Sequence, residues 1–124
     1  MKRISVAFKG IILGSALALA LAAPAQAGET HTVEMKNHKF IPQEITINPG
    51  DTVRWVNKES RQYHSVWFKQ EDPDRENPKL FSKTFWPGDD PYTRTFKEPG
   101  DYPYICKEHI DDYDMEGVVH VVEE

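Results

Sequence analysis

Cysteine is almost missing from this chain: Cys106 is the only one in 124 residues. No internal disulfide can form, so a lone thiol in an exported protein must pair between chains, stay buried or bind something. Basic residues are also scarce, 15 Lys and Arg against 20 Asp and Glu, and three of the basic ones lie in the first 27 residues. From Gly28 onward 12 basic residues face 20 acidic ones, a net charge of −8. That sign argues against a nucleic-acid partner and makes a basic protein partner easier to accommodate. Beyond residue 28 no segment keeps a helical period over three turns, and no internal repeat or low-complexity stretch occurs.

The first 27 residues form a targeting segment. Lys2, Arg3 and Lys9 precede an apolar run from Ile11 to Ala23, and Ala25-Gln26-Ala27 offers the small-residue pattern of a signal peptidase site. The run is short for a membrane span of about 20 apolar residues. The expectation is a removed signal peptide over 1–27, a periplasmic mature chain over 28–124, and no stable membrane insertion thereafter.

The mature part, 97 residues, suits one small domain. Val33 and Met35 alternate with polar neighbours, as do Ile45 and Ile47, and Asn48-Pro49-Gly50-Asp51 supplies a turn. Val53, Trp55 and Asn57 share one face of the next run. His64 to Phe68 reads as a further strand. Pro87-Gly88 precedes the run Tyr92 to Phe96, and Pro99-Gly100 precedes Tyr102 to Cys106. Gly117 to Val122 closes the chain. The pattern predicts an all-β Greek-key sandwich of about seven or eight strands. Residues 69–90, with Asp72-Pro73-Asp74 and Asn77-Pro78, should form a long polar excursion with room for one helical turn.

Chemistry concentrates in the last third. Cys106, His109 and Met115 lie within ten residues, with the cysteine ending one strand and the methionine beginning the next. His64 starts an earlier strand that a Greek-key sandwich can bring alongside. Each alone has a bland reading: a buried cysteine acting as a small hydrophobe, a satisfied loop histidine, a core methionine. Together, two imidazoles, one thiolate and a weak axial thioether form the donor set of a copper electron-transfer site. Structural zinc sites use paired Cys or His ligands at closer spacing in a closed set, which this is not.

Phe40-Ile41-Pro42 followed by Ile45-Thr46-Ile47-Asn48-Pro49-Gly50-Asp51-Thr52-Val53-Arg54-Trp55-Val56-Asn57, then Pro87-Gly88, Tyr92 to Phe96, and Gly100 to Cys106 with Cys-x-x-His and Met-x-Gly, resembles the cupredoxins, the type 1 blue copper proteins. Within them it is most similar to the plastocyanin, halocyanin and pseudoazurin group. The resemblance spans nearly the whole mature chain. It implies one copper per chain, with His64, Cys106 and His109 as equatorial ligands and Met115 as the axial one. It implies a one-electron carrier rather than an enzyme, cycling Cu(II)/Cu(I) between a donor and an acceptor redox protein, and a monomer. The alternative is a copper delivery or storage module without redox traffic. A mononuclear red-copper enzyme and a metal-free sandwich that binds other proteins are further options, weakened by Met115 and by the four-donor conjunction respectively.

Five residues separate His109 from Met115, one more than plastocyanin-like loops usually have, and Asp111, Asp112 and Asp114 make the segment acidic, with Glu108 and Glu116 beside it. Such a rim is either plain solvated surface or a means of selecting a basic partner and lowering the copper potential. Asn57 reads as an ordinary turn residue or as a brace for a ligand loop. Tyr102 and Tyr104 are expected to wall the site. Trp67, Phe85 and Trp86 suit either core or docking patch. His38 and His120 read as surface histidines.

Overall fold

The computed structural model describes residues 28–123, so the targeting segment expected over 1–27 lies outside the described residues. Seven strands and one short helix follow in chain order: β1 (Thr30–Lys36), β2 (Lys39–Ile41), β3 (Glu44–Ile47), β4 (Thr52–Asn57), β5 (Tyr92–Thr95), β6 (Gly100–Ile105), α1 (Ile110–Tyr113) and β7 (Glu116–Val121). One sheet runs β2-β1-β4-β5 and the other β3-β7-β6. The pairs β1/β4 and β3/β7 are parallel and the rest antiparallel. Sequence neighbours thus split between sheets, as the expected Greek-key sandwich requires.

The period of two decides which side chains face inward. Val33 and Met35 of β1, Val53, Trp55 and Asn57 of β4, and Val119 and Val121 of β7 are all buried. Phe40, Phe68, Phe96 and Tyr104 fill the space between the sheets, with Tyr104 4.7 Å from Phe40 and 5.2 Å from Trp55, ring centre to ring centre. Arg94 lies over Phe68 at 4.4 Å and Phe96 at 4.5 Å, and both its terminal nitrogens donate to Glu71 at 2.9 Å.

Two expectations need correction. Residues 64–68 are no regular strand; they make isolated bridges, His64 to Phe85 and Trp67 to Phe81 and Ile105. The cause is the partner segment: the Ser82 hydroxyl accepts the Val66 N–H at 2.8 Å where a ladder would use a carbonyl. The 69–90 excursion holds no helical turn. Asp72 organises it instead, its buried carboxylate accepting the N–H groups of Glu76 (3.0 Å) and Asn77 (2.9 Å) while its carbonyl takes the Trp67 indole N–H at 2.8 Å.

His120 lies on the outer side of β7, as expected, yet it is partnered there. Its ring contacts Asp101 of β6 at 2.7 Å and Glu44 of β3 at 2.8 Å. Hydrogen bonding to Asp101, then to Glu44, raises its pKa above the ordinary value. The stabilisation is therefore complete below the unfolded-state pKa and fades as pH rises through the raised folded value. Because the carboxylates are largely exposed, His120→Gln should cost only about 0.5 kcal/mol at pH 5.5 and nothing measurable at pH 9 in urea denaturation; a cost that grows with pH contradicts this account.

Candidate metal centre

Three segments converge at one end of the sandwich. The 64–68 segment delivers His64, held between its N–H to Phe85 O (3.1 Å) and its carbonyl to Phe85 N (2.9 Å). The end of β6 delivers Cys106 with the same inward parity as Tyr104. A tight turn follows, closed by the His109 N–H donating to Cys106 O at 3.2 Å, and α1 then starts directly after His109. The turn of α1 ends at Asp114, in the left-handed region with φ 51° and ψ 41°, and returns the chain to Met115. Here the Cys106 N–H donates to Met115 O at 3.0 Å. The longer His109–Met115 segment is thus taken up by a helical turn.

The four residues singled out from the sequence are all buried: His64 and Cys106 are fully so, Met115 is 1% exposed and His109 8%. The metal-binding atoms of His64, Cys106 and His109 form a tight group. His64 Nδ1 is 3.2 Å from His109 Nδ1, and the Cys106 sulfur is 3.7 Å and 3.3 Å from these nitrogens. A circle through the three atoms has a radius of about 2.0 Å, the bonding distance of a transition metal to imidazole. A soft sulfur and two borderline nitrogens at that spacing fit copper. Met115 packs into the core cluster that also contains Cys106.

Around the donors lies a layer of polar partners. His64 Nε2 meets the Glu59 carboxylate at 2.8 Å. A carboxylate can only accept there, so Nε2 carries the proton and Nδ1 keeps its lone pair for a metal. Glu59 also accepts the His38 N–H at 2.9 Å, and its own N–H donates to Asn57 Oδ1 at 3.0 Å. Asn57 Nδ2 donates to Gln62 O (2.9 Å) and Phe85 O (3.1 Å), tying the chain on both sides of His64. Asn57 is therefore a brace and no mere turn residue. The Ser65 N–H points at the Cys106 sulfur from 3.4 Å.

Burial governs the protonation of the donors. It pushes the His64 imidazole below its ordinary pKa, against the pull of Glu59, and lowers His109 in the same way with help from His64 and His38. It raises the Cys106 thiol, opposed by the N–H groups of Ser65 and Glu108. Both rings thus offer free lone pairs in the metal-free protein, whereas metal loading must release the thiol proton. Burial also disfavours the Glu108 carboxylate, but hydrogen bonds from Thr84 and Ser65 outweigh it and hold Glu108 below the ordinary range.

His38 departs from expectation. It stands in the two-residue Asn37-His38 turn between β1 and β2, both residues at positive φ (55° and 59°), the geometry that matches strand twist in a tight hairpin. This turn carries its ring to 4.8 Å from His109 and stacks it on Tyr113 at 3.8 Å. Trp67 and Phe85 prove to be core, whereas Trp86 is 51% exposed and lies 5.0 Å from Tyr63, which is itself 5.9 Å from His109. Tyr102 packs on Phe96 at the rim of the core, and Tyr104 sits inside it. Glu59 is the functional neighbour that the sequence reading missed; no local spacing rule marks a carboxylate five residues before a histidine.

Comparison with known proteins bears on this geometry. The family described as copper binding proteins, plastocyanin/azurin family, matches residues 27–122. An amicyanin-alpha of Methylorubrum extorquens is 35% identical over 106 residues, 83% of this chain and 82% of that one. The structure of a pseudoazurin from Sinorhizobium meliloti superposes with a TM-score of 0.58 at 30% identity, covering 77% of this chain and 75% of the other. A copper-containing nitrite reductase from Thermus scotoductus aligns with a TM-score of 0.57 at 28% identity, over 85% of this chain but only 26% of the reductase.

Proposed function

Because the chain belongs to the plastocyanin/azurin family of copper-binding proteins, the cupredoxins, we propose that it is a periplasmic one-electron carrier whose single copper is held by His64, Cys106, His109 and Met115. The observation that carries this reading is the convergence of one sulfur and two imidazole nitrogens on a point about 2.0 Å from each. Copper bound there supplies the Cu(II)/Cu(I) couple. The chain's own residues do the rest. Cys106, once deprotonated, provides a soft donor suited to both redox states. Glu59 fixes the tautomer and orientation of His64, and Asn57 fixes the backbone on either side of it. The packed sheets and the turn from Cys106 to Met115 keep the donors in one arrangement, so an electron can arrive or leave with little rearrangement.

Burial favours a carrier over an enzyme. His64 and Cys106 have no exposed surface and only an edge of His109 reaches solvent, which suits electron exchange rather than binding of a small substrate at the metal. It also disfavours delivery or storage, for which exposed, exchangeable donors are better suited. Tyr63, Trp86 and Tyr113 are exposed around His109, and Asp111 and Asp112 stand beside them on α1. This mixture suits a transient redox partner with a basic rim, docking through a small area.

Titration of the mature chain with Cu(II) tests the reading. One equivalent should produce intense thiolate-to-copper absorption in the visible, bleached by a reductant and restored by an oxidant. A folded protein that develops no such absorption overturns it.

A further inference from the structure

Glu108 is hydrogen-bonded to two hydroxyls beside the Cys106 sulfur, a placement that its reading as part of an acidic rim does not capture. Its Oε1 lies 3.6 Å from that sulfur. The same oxygen accepts the Ser65 hydroxyl at 2.7 Å, and Oε2 accepts the Thr84 hydroxyl at 2.7 Å. The direction of the first bond is fixed, because the Lys107 N–H donates to Ser65 Oγ at 3.0 Å and leaves the hydroxyl proton for Glu108. Ser65 is fully buried. The carboxylate therefore ties the His64 segment, the 81–86 segment and the Cys106 turn together. No ion pair among the described residues neutralises it. Nor does it join the group of donors that could hold the metal.

Building on the copper-carrier reading, we propose that Glu108 is a positioning residue that sets the redox preference of the site, its clamped carboxylate stabilising the oxidised state. The oxidised centre carries one more positive charge than the reduced one, so a fixed negative charge beside the sulfur favours oxidation. Two hydroxyl bonds prevent the carboxylate from swinging into water, and partial burial weakens screening. Asp111 and Asp112 carry the same charge but are exposed on α1, where water and salt screen it. The Ser65 N–H aimed at the sulfur works in the opposite sense, drawing density from the thiolate.

The test is an equilibrium redox titration of the copper-loaded protein. Glu108→Gln keeps the shape and one acceptor and removes the charge. At a fixed ambient potential its Cu(I):Cu(II) ratio should rise about tenfold over the parent, equivalent to about 59 mV for a one-electron couple. Asp111→Asn and Asp112→Asn together should move the ratio less than about twofold, as expected for screened surface charge. Thr84→Val, at an exposed position, frees one carboxylate oxygen and should shift the ratio in the same direction by less, which keeps the question answerable if the Gln variant folds poorly. Denaturation of the metal-free variants checks the fold independently. A parent that lacks thiolate-to-copper absorption overturns both the carrier reading and this role. A normal parent spectrum with a ratio unmoved in Glu108→Gln or in Thr84→Val overturns the role of Glu108 alone.

Discussion

Cys106→Ser should abolish the visible absorption of the copper-loaded protein while leaving the sandwich folded. The absorption requires electron density moving from a thiolate to Cu(II), and Cys106 is the only thiol in the chain. A serine hydroxyl in its place stays protonated near neutral pH and cannot act as a soft anionic donor. His64 and His109 remain, with Nδ1 atoms 3.2 Å apart, so Cu(II) can still bind weakly and without intense colour. The fold should survive because the sulfur already sits among polar groups. The Ser65 N–H and both imidazoles lie within 3.7 Å of it, and a hydroxyl can bond to any of them. The stability cost should stay at about 1–2 kcal/mol, that of a modestly mismatched buried hydroxyl. Copper titration followed by absorbance, with denaturant unfolding of the metal-free variant, measures both. Intense absorption that persists in the variant would place the coloured site elsewhere and remove Cys106 from it.

The parts of this architecture visible in the sequence are those governed by a local rule. Val33 and Met35, Val53 and Trp55, and Val119 and Val121 alternate because each strand has one face against the core, and the structure buries all six. Asn48-Pro49-Gly50-Asp51 closes as a turn, with the Asp51 N–H donating to Asn48 O at 3.1 Å and Gly50 at φ 96°. Cys106 and His109 are legible as a pair because one turn brings them together. His64 is different. Its distance from Cys106 in sequence says nothing; only the sandwich topology and the family resemblance place it there, and the segment that carries it is too irregular to count as a strand.

What stayed hidden depends on contacts between distant segments. His38 reads as surface because nothing near it is apolar, and a two-residue hairpin turn then carries it against His109 and Tyr113. Glu59 looks like one more surface acid until the Asn57 side chain and the His38 N–H hold it beside His64. Glu108 was visible as a charge, but its hydroxyl partners Ser65 and Thr84 lie 43 and 24 residues away. The acidity of the rim could be counted from the sequence. Which of its charges is clamped beside the sulfur could not.

Gly117→Ala should be among the most damaging single-methyl changes in the protein. The reason is space, since the glycine needs no unusual backbone angle. A Cβ at Gly117 would lie 2.5 Å from Tyr104 Oη, 2.6 Å from Tyr104 Cζ and 2.8 Å from Gln43 O. Neither neighbour can retreat easily. Tyr104 is 1% exposed, packed between Phe40, Trp55 and Phe68. Gln43 O already accepts the Val118 N–H at 3.0 Å, at the start of the β3/β7 pairing. The strain must therefore push β7 away from β6 where Gly117 pairs with Tyr104. Overpacking of this kind costs about 1–3 kcal/mol, and loss of the Gln43 bond would add to it. The site feels the same push, because Met115 lies two residues before Gly117 and its carbonyl holds the Cys106 N–H. The expected result is a lower denaturation midpoint together with altered copper-thiolate bands. Adding Tyr104→Phe should restore only part of the stability, since it removes the hydroxyl but leaves the ring carbon at 2.6 Å. A Gly117→Ala protein within about 0.5 kcal/mol of the parent would mean that β7 yields freely at this point, and the close fit of Gly117 against Tyr104 would then have no part in holding Met115 beside Cys106.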